Sequence, residues 1–152
     1  MHLIQTIISF TAAVALLVVV HEFGHYAAAR FFGVRVLKFS IGFGRTIWSR
    51  RTNPENTEWS ISLIPLGGYV KMLDESEAPV PPSMMDQAFN RKRLPQRAAI
   101  VAAGPIANFL FAILLYWLLF ISGVPEAQPI LDSPQPGSIA ERAGIQKGDR
   151  VI

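Results

Sequence analysis

His21, Glu22 and His25 form an H-E-x-x-H sequence, the pattern in this chain that most directly indicates chemistry. Side chains four residues apart lie on the same face of an α-helix, so the two imidazoles can bind one metal ion. Zinc suits such a pair, because neutral imidazole is a good zinc ligand and a catalytic zinc site keeps one position open for water. Glu22, beside the ion, would accept a proton from that water as it attacks a peptide carbonyl. The motif therefore predicts zinc-dependent peptide hydrolysis.

The motif directly follows an apolar run without charged residues, Leu3 to Val20. At about 1.5 Å per residue, this run is roughly 27 Å long, close to the hydrocarbon thickness of a bilayer. A cleaved signal peptide is the alternative, but the start lacks a basic segment and apolar residues resume after His25. We therefore expect a first transmembrane helix over residues 1–33, with the motif in the bilayer near its cytoplasmic side. Ionisable residues cost about 2.5–3.5 kcal/mol each at membrane depth, which favours a functional role over a merely interfacial histidine.

A second uncharged apolar run, Ala98 to Ile121, predicts a second transmembrane helix over residues 97–122. The composition agrees with a membrane protein, since 51% of the residues are hydrophobic and only 16% are charged. Most basic residues lie between the two runs, which places residues 34–96 on the cytoplasmic side and both chain ends outside. Topology explains these basic residues better than nucleic-acid binding does, so we expect the lipid bilayer, and no nucleic acid, as a partner. The absence of cysteine excludes thiolate ligands to a metal.

Residues 34–77 carry the alternation of half-buried β-strands. Apolar Leu37, Phe39, Ile41 and Phe43 alternate with polar or small residues, as do Trp59, Ile61 and Leu63. We expect a β-hairpin with its turn at residues 53–56. Its free edge would accept an extended peptide, although a small soluble cytoplasmic sheet is an alternative. Gly67 and Gly68 then interrupt the pattern, as a tight turn or a close backbone approach requires.

Residues 78–96 predict a Pro-rich connector followed by a basic juxtamembrane segment. In the second apolar run, Pro105 removes a helix hydrogen bond, and Gly104 with its small neighbours allows close packing against the first helix. Asn108 lies one turn after Gly104. An interhelical hydrogen bond and a role in the active site are equally good interpretations of this residue.

Four stretches together resemble the site-2 protease family of intramembrane zinc proteases, most closely its bacterial type that regulates sigma-E. They are HEFGH at 21–25, FSIGFG at 39–44, IPLGGYVKM at 64–72 and AGPIANF at 103–109. The resemblance implies a multi-pass protein of the bacterial inner membrane that cuts a transmembrane substrate of the anti-sigma factor type.

The same resemblance implies zinc ligation by His21 and His25 and catalysis by Glu22. It also implies a membrane-re-entrant β-hairpin that helps to present the substrate, and we expect Gly67 and Gly68 to be substrate-binding residues within it. Asn108 is implied to lie near the active site and to contact the substrate or the developing oxyanion. The expected fold is therefore a membrane α-helical protein with a small β insertion.

Residues 123–152 resemble the start of a PDZ domain on the periplasmic side, where a peptide can add as a strand. The third zinc ligand of the family is an aspartate in a later transmembrane segment, and no acidic residue here lies in a matching motif. We expect this sequence to be part of a longer enzyme and, by itself, to bind zinc weakly and to be inactive. A non-catalytic membrane scaffold that binds peptides is the alternative, whereas a metal transporter would need more polar residues in its spans.

Overall fold

The computed structural model describes residues 2–52, 56–123 and 130–150. Its elements are helix α1 (His2–Phe31), strands β1 (Val36–Thr52) and β2 (Thr57–Met72), two 3-10 turns (Pro82–Gln87 and Phe89–Arg91), helix α2 (Leu94–Ile121) and the short helix α3 (Ile139–Arg142). Two compact units comprise residues 1–115 and 116–152. Most of the predicted hairpin turn, residues 53–55, lies outside the described residues.

The two long helices confirm the elements predicted from the apolar runs. Helix α1 has 30 residues and α2 has 28, and each is long and apolar enough to cross a membrane. Many of their large apolar side chains are exposed, as with Leu3 at 73% and Phe109 at 68%. Exposing so much apolar surface to water is unfavourable, so these helix faces suit contact with lipid or protein.

Helix α2 begins at Leu94, three residues before the expected start of the span at residue 97. Pro95 is compatible with this start, because the first N–H groups of a helix have no partner within the helix. The side-chain oxygen of Gln96 accepts a hydrogen bond from the backbone N–H of Arg93 at 3.1 Å. The helix therefore extends beyond the apolar run because its polar first turn is satisfied locally.

Strands β1 and β2 pair antiparallel, which confirms the predicted hairpin. Residues 38–41 each have Cα partners in both halves of β2, so the first half of β1 lies between the two halves of β2. The bend that this arrangement needs occurs at Gly42, whose φ is +86°. A Cβ there would lie 2.7 Å from the carbonyl oxygen of Ile64, so glycine is required for conformation and for space.

Gly67 and Gly68 remain inside β2 and do not form a separate tight turn. Both lie in close backbone approaches, which is the other interpretation that their sequence allowed. A Cβ on Gly67 would collide with the ring of Phe43, and one on Gly68 would lie 2.7 Å from the carbonyl oxygen of Ser40.

A buried cluster joins the hairpin to both long helices. It consists of Ala29, Val34, Val36 and Ile100, each at most 1% exposed. Burying one Val or Ile side chain contributes about 1.5–3 kcal/mol to stability, so even this small cluster holds the hairpin firmly against the helices. Tyr26, one residue after the motif, adds aromatic contacts to Phe39 and Trp59, with ring centroids 5.9 and 5.1 Å away. The hairpin therefore packs against α1 beside His25.

The second unit contains α3 and an isolated bridge between Ile130 and Arg150. Ser138 caps α3, since its hydroxyl accepts a hydrogen bond from the N–H of Glu141 at 3.2 Å. Lys147 pairs with Asp132 at 3.1 Å. The assignment of this region to the start of a PDZ domain stays a prediction.

Candidate metal centre

His21 and His25 lie one turn apart on α1, and their Nε2 atoms are 3.2 Å from each other. Two nitrogens bound tetrahedrally to one zinc ion at about 2.0–2.1 Å would be roughly 3.3 Å apart. The imidazole planes are inclined by 81°, so the two Nε2 atoms converge while the rings do not stack. The geometry therefore fits a pair of ligands to one ion.

The orientation of His25 is set by α2. Its Nδ1 lies 2.8 Å from the carbonyl oxygen of Ile100. A carbonyl can only accept, so Nδ1 carries the ring proton and Nε2 keeps its lone pair for a metal. This backbone contact is the outer partner that metal-binding histidines usually have.

The space beside the two Nε2 atoms exists because α2 has glycine at position 104. A Cβ on Gly104 would lie 2.8 Å from Nε2 of His21 and would collide with Nε2 of His25. Gly24 of α1 makes the reciprocal approach, since a Cβ there would collide with the carbonyl oxygen of Ala103 and lie 2.7 Å from Cβ of Ala107. The small residues thus allow the helices to meet at the motif, as their types predict.

Asn108 of α2 reaches the other side of His21. Its side-chain nitrogen lies 3.4 Å from Nδ1 of His21. Its side-chain oxygen is buried and has no hydrogen-bond partner within the described residues. The predicted interhelical contact of Asn108 is therefore made with a candidate zinc ligand.

Glu22 is half-buried and lies against the backbone of β2. A Cβ on Gly68 would lie 2.9 Å from Cγ of Glu22 and 3.3 Å from Cγ1 of Val18. Only glycine allows the strand to come so close to the carboxylate-bearing side chain. The predicted general base and one of the predicted substrate-binding residues are thereby brought together.

Two clefts of about 390 Å³ each open beside Glu22 and Gly68. The first, which we call the polar cleft because it contains charged side chains, is also lined by His25, Lys71, Asp74 and Glu77. The rest of its lining is apolar or aromatic: Tyr69, Val70, Met72, Phe89, Ile100 and Val101. The second, which we call the apolar cleft, is also lined by Val14, Leu17, Val18, Phe43, His21, Gly67 and Asn108. Every site residue predicted from the sequence therefore borders one or both clefts.

The donor set fits zinc in type but not in number. Two imidazole nitrogens suit the ion, whereas a catalytic zinc has three protein ligands. Within residues 2–52, 56–123 and 130–150, no cluster of three His, Cys, Asp or Glu side chains is arranged around one ion. The arrangement accounts for part of a zinc site and for the base beside it.

Two structural features of this site were not predicted from the sequence. The carbonyl of Ile100 belongs to the backbone, so no residue type could have indicated it. Gly24 occupies a variable position of the H-E-x-x-H pattern, and its only signal was its small size next to two predicted ligands. Gly104 was predicted to permit helix packing, but its position against both imidazoles was not anticipated.

Comparisons with known proteins identify a family and several relatives of this chain. The model of Peptidase family M50 matches residues 9–145. The chain is 55% identical to "Protease RseP" of Yersinia pestis over 148 residues, which are 97% of this chain and 33% of that protein. It is 56% identical to "Regulator of sigma-E protease RseP" of Escherichia coli K12 over 143 residues, covering 94% of this chain and 32% of that protein.

A "Putative zinc metalloprotease" of Vibrio cholerae is 53% identical over 144 residues, covering 95% of this chain and 32% of that protein. The chain thus spans about a third of the length of these curated relatives. The family match includes α1 from residue 9, the hairpin and α2. The chain belongs to peptidase family M50.

Proposed function

We propose that this chain provides two zinc ligands and the general base of an intramembrane metalloprotease. The 3.2 Å separation between the Nε2 atoms of His21 and His25 carries this proposal. The names of two relatives, "Putative zinc metalloprotease" and "Regulator of sigma-E protease RseP", support the same activity. A carboxylate outside these 152 residues completes the ligand set in this proposal, since the relatives are about three times as long.

The chemistry assigns a separate role to each side chain of the motif. His21 and His25 would hold the ion, and the Ile100 carbonyl keeps the His25 ring in the required orientation. A zinc ion bound here supplies Lewis-acid activation of water and of the peptide carbonyl. Glu22 accepts a proton from the attacking water and delivers it to the leaving amine nitrogen.

The two clefts beside Glu22 have different roles in this proposal. The polar cleft has the charged lining that water needs to approach the carboxylate. The apolar cleft suits an aliphatic or aromatic side chain of a peptide, with Gly67, Gly68 and Asn108 as substrate-binding residues beside it. Because the motif lies on a helix long and apolar enough to cross a membrane, the substrate in this proposal is a transmembrane protein, and the sigma-E names of relatives favour an anti-sigma factor.

The hairpin presents the substrate in this proposal, and the two long helices set the membrane topology. The second half of β2 lies beside Glu22 and adds the substrate as a further extended strand. Helices α1 and α2 cross the bacterial inner membrane, residues 34–96 lie on its cytoplasmic side with the hairpin re-entering the bilayer, and residues 123–152 begin a periplasmic PDZ domain.

The test compares wild type with Glu22→Gln in a version of the protein as long as the relatives, reconstituted in liposomes with a single-span substrate. Glutamine keeps the size of the side chain but cannot accept the proton. We expect the cleavage rate to fall at least about 100-fold while zinc content is unchanged. Cleavage products are quantified by gel electrophoresis, and bound zinc by atomic absorption.

Glu58→Gln is the matched control. Glu58 pairs with Lys38 on the hairpin at 3.0 Å and lines neither cleft. Its loss should leave cleavage within about twofold, because partly exposed ion pairs contribute little. Equal cleavage by wild type and Glu22→Gln would disprove the proposed role of the motif.

A further inference from the structure

The contact between His21 and Asn108 determines how His21 can bind a metal. The ring atom that faces Asn108 is Nδ1, at 3.4 Å from the side-chain nitrogen of the amide. A neutral imidazole has one protonated nitrogen, so ligation through Nε2 requires the proton to lie on Nδ1. An amide NH2 group facing an N–H group brings two donors together, and no hydrogen bond forms.

The amide of Asn108 can remove this conflict by rotating half a turn. Its oxygen and nitrogen have nearly the same shape, and their assignment follows from hydrogen bonding. After rotation, the oxygen faces Nδ1 and accepts its proton. This is also the oxygen that is buried without a hydrogen-bond partner within the described part of the chain. One rotation thus gives the oxygen a donor and gives His21 the tautomer that zinc needs, while the NH2 group takes the buried position that the oxygen had occupied.

We propose that Asn108 is the positioning residue of His21: its side-chain oxygen accepts the Nδ1 proton and thereby directs Nε2 towards the metal. The inference rests on the proposed function, since it concerns the same zinc site. Helix α2 then orients both histidines, His25 through the carbonyl of Ile100 and His21 through the side chain of Asn108.

The experiment measures zinc affinity in the version of the protein that is as long as the relatives, purified in detergent, by competition with a chromophoric chelator. Asn108→Leu removes the acceptor, and we expect the Kd for zinc to rise about 10–100-fold. Asn108→Asp restores an acceptor and should bind zinc at least as tightly as wild type. Phe109→Leu is the control on the same helix, because Phe109 is 68% exposed, and it should leave the Kd unchanged.

Nitrogen-15 NMR of labelled histidine separates the hydrogen bond from the added charge of aspartate. In zinc-loaded wild type and Asn108→Asp, the Nδ1 proton of His21 should be downfield and slow to exchange with water. In Asn108→Leu it should lose both properties. Thermal unfolding with excess chelator should give the same midpoint for wild type and Asn108→Leu, which separates this role from helix packing.

The inference is overturned if Asn108→Leu binds zinc as tightly as wild type, or if Asn108→Asp binds as weakly as Asn108→Leu. Neither result affects the proposed function, because wild type still binds zinc through His21 and His25. Failure of wild type to bind zinc better than a His21→Ala, His25→Ala double variant would overturn both proposals.

Discussion

The polar cleft and the apolar cleft meet at Glu22 and Gly68 but differ in their remaining walls. The polar cleft has Lys71, Asp74 and Glu77 in its lining. The wall of the apolar cleft is formed largely by Val14, Leu17, Val18 and Phe43. Hydrolysis within a bilayer needs water and an apolar substrate at the same carboxylate, and Glu22 borders one cleft with charged residues and one with a largely apolar wall.

Gly68 lines both clefts, so the surroundings of Glu22 depend on the small size of this residue. The backbone at Gly68 is close enough to Glu22 that even a methyl group would lie 2.9 Å from its Cγ. A larger residue would therefore change both clefts, whereas a substitution farther out should change only one.

Gly68→Val should have the largest effect, because the added side chain enters both clefts. Its Cβ would lie 2.7 Å from the backbone oxygen of Ser40, which cannot move without displacing β1. Overpacking of this kind costs about 1–3 kcal/mol of stability. Displacement of Glu22 by about 1 Å would reduce the cleavage rate roughly 100-fold. The liposome assay and thermal unfolding measure the two quantities.

Ala99→Val is a suitable control for Gly68→Val, since Ala99 is exposed on α2 and lines neither cleft. Its cleavage rate should match that of wild type. Normal cleavage by Gly68→Val would show that β2 does not need its close approach to Glu22.

Phe43→Ala should act chiefly on the apolar cleft, which Phe43 lines. Phe43 stacks on Tyr69, with ring centroids 6.4 Å apart and planes inclined by 9°, and it packs against Gly67. Loss of the ring removes apolar contact with the substrate, so KM should rise about 10-fold while kcat changes less than about threefold. Steady-state cleavage of a single-span substrate gives both constants.

Lys71→Met supplies the comparison variant in the polar cleft. Lys71 pairs with Glu77 at 3.0 Å, and both side chains are about half exposed, at 48% and 55%. Such a pair contributes at most about 1 kcal/mol, and KM should stay within about twofold of wild type. A rise in KM equal to that of Phe43→Ala would mean that both clefts hold substrate.

Acidification should have the smallest effect, a slight loss of thermal stability in the segment that contains Asp74 and Glu77 of the polar cleft. Hydrogen bonds from Arg91 and then Asn90 lower the pKa of Glu75, which lies between Asp74 and Glu77, from its ordinary 4.5. A lowered pKa adds stability above the ordinary value, and that stability is lost as the pH falls below about 4.5 through the folded pKa. Thermal unfolding midpoints between pH 7 and pH 4 should therefore decline slightly more for wild type than for Glu75→Gln. An identical decline of the unfolding midpoint in both proteins would show that the contact of Glu75 with Arg91 and Asn90 does not stabilise this segment.

The elements that the sequence predicted are those whose signals are local. The apolar runs became α1 and α2, and the alternation around Phe39 and Trp59 became β1 and β2. The strands extend beyond the alternating residues because β1 folds between the two halves of β2, and pairing with both halves stabilises segments without a clear pattern. The role of Gly68 as a close-approach residue was foreseen, but its neighbour Glu22 lies 46 positions away in the chain.

By itself, the sequence determined that His21 and His25 share one helix face with Glu22 beside them, because the pitch of an α-helix fixes side chains four residues apart. Tertiary structure decided what surrounds those side chains. The Ile100 carbonyl, the space at Gly104 and the amide of Asn108 all come from α2, and their places depend on where the two helices cross. Helix geometry is set by neighbouring residues, whereas a crossing point results from packing along the whole contact, so only the folded chain reveals how the two ligands are held.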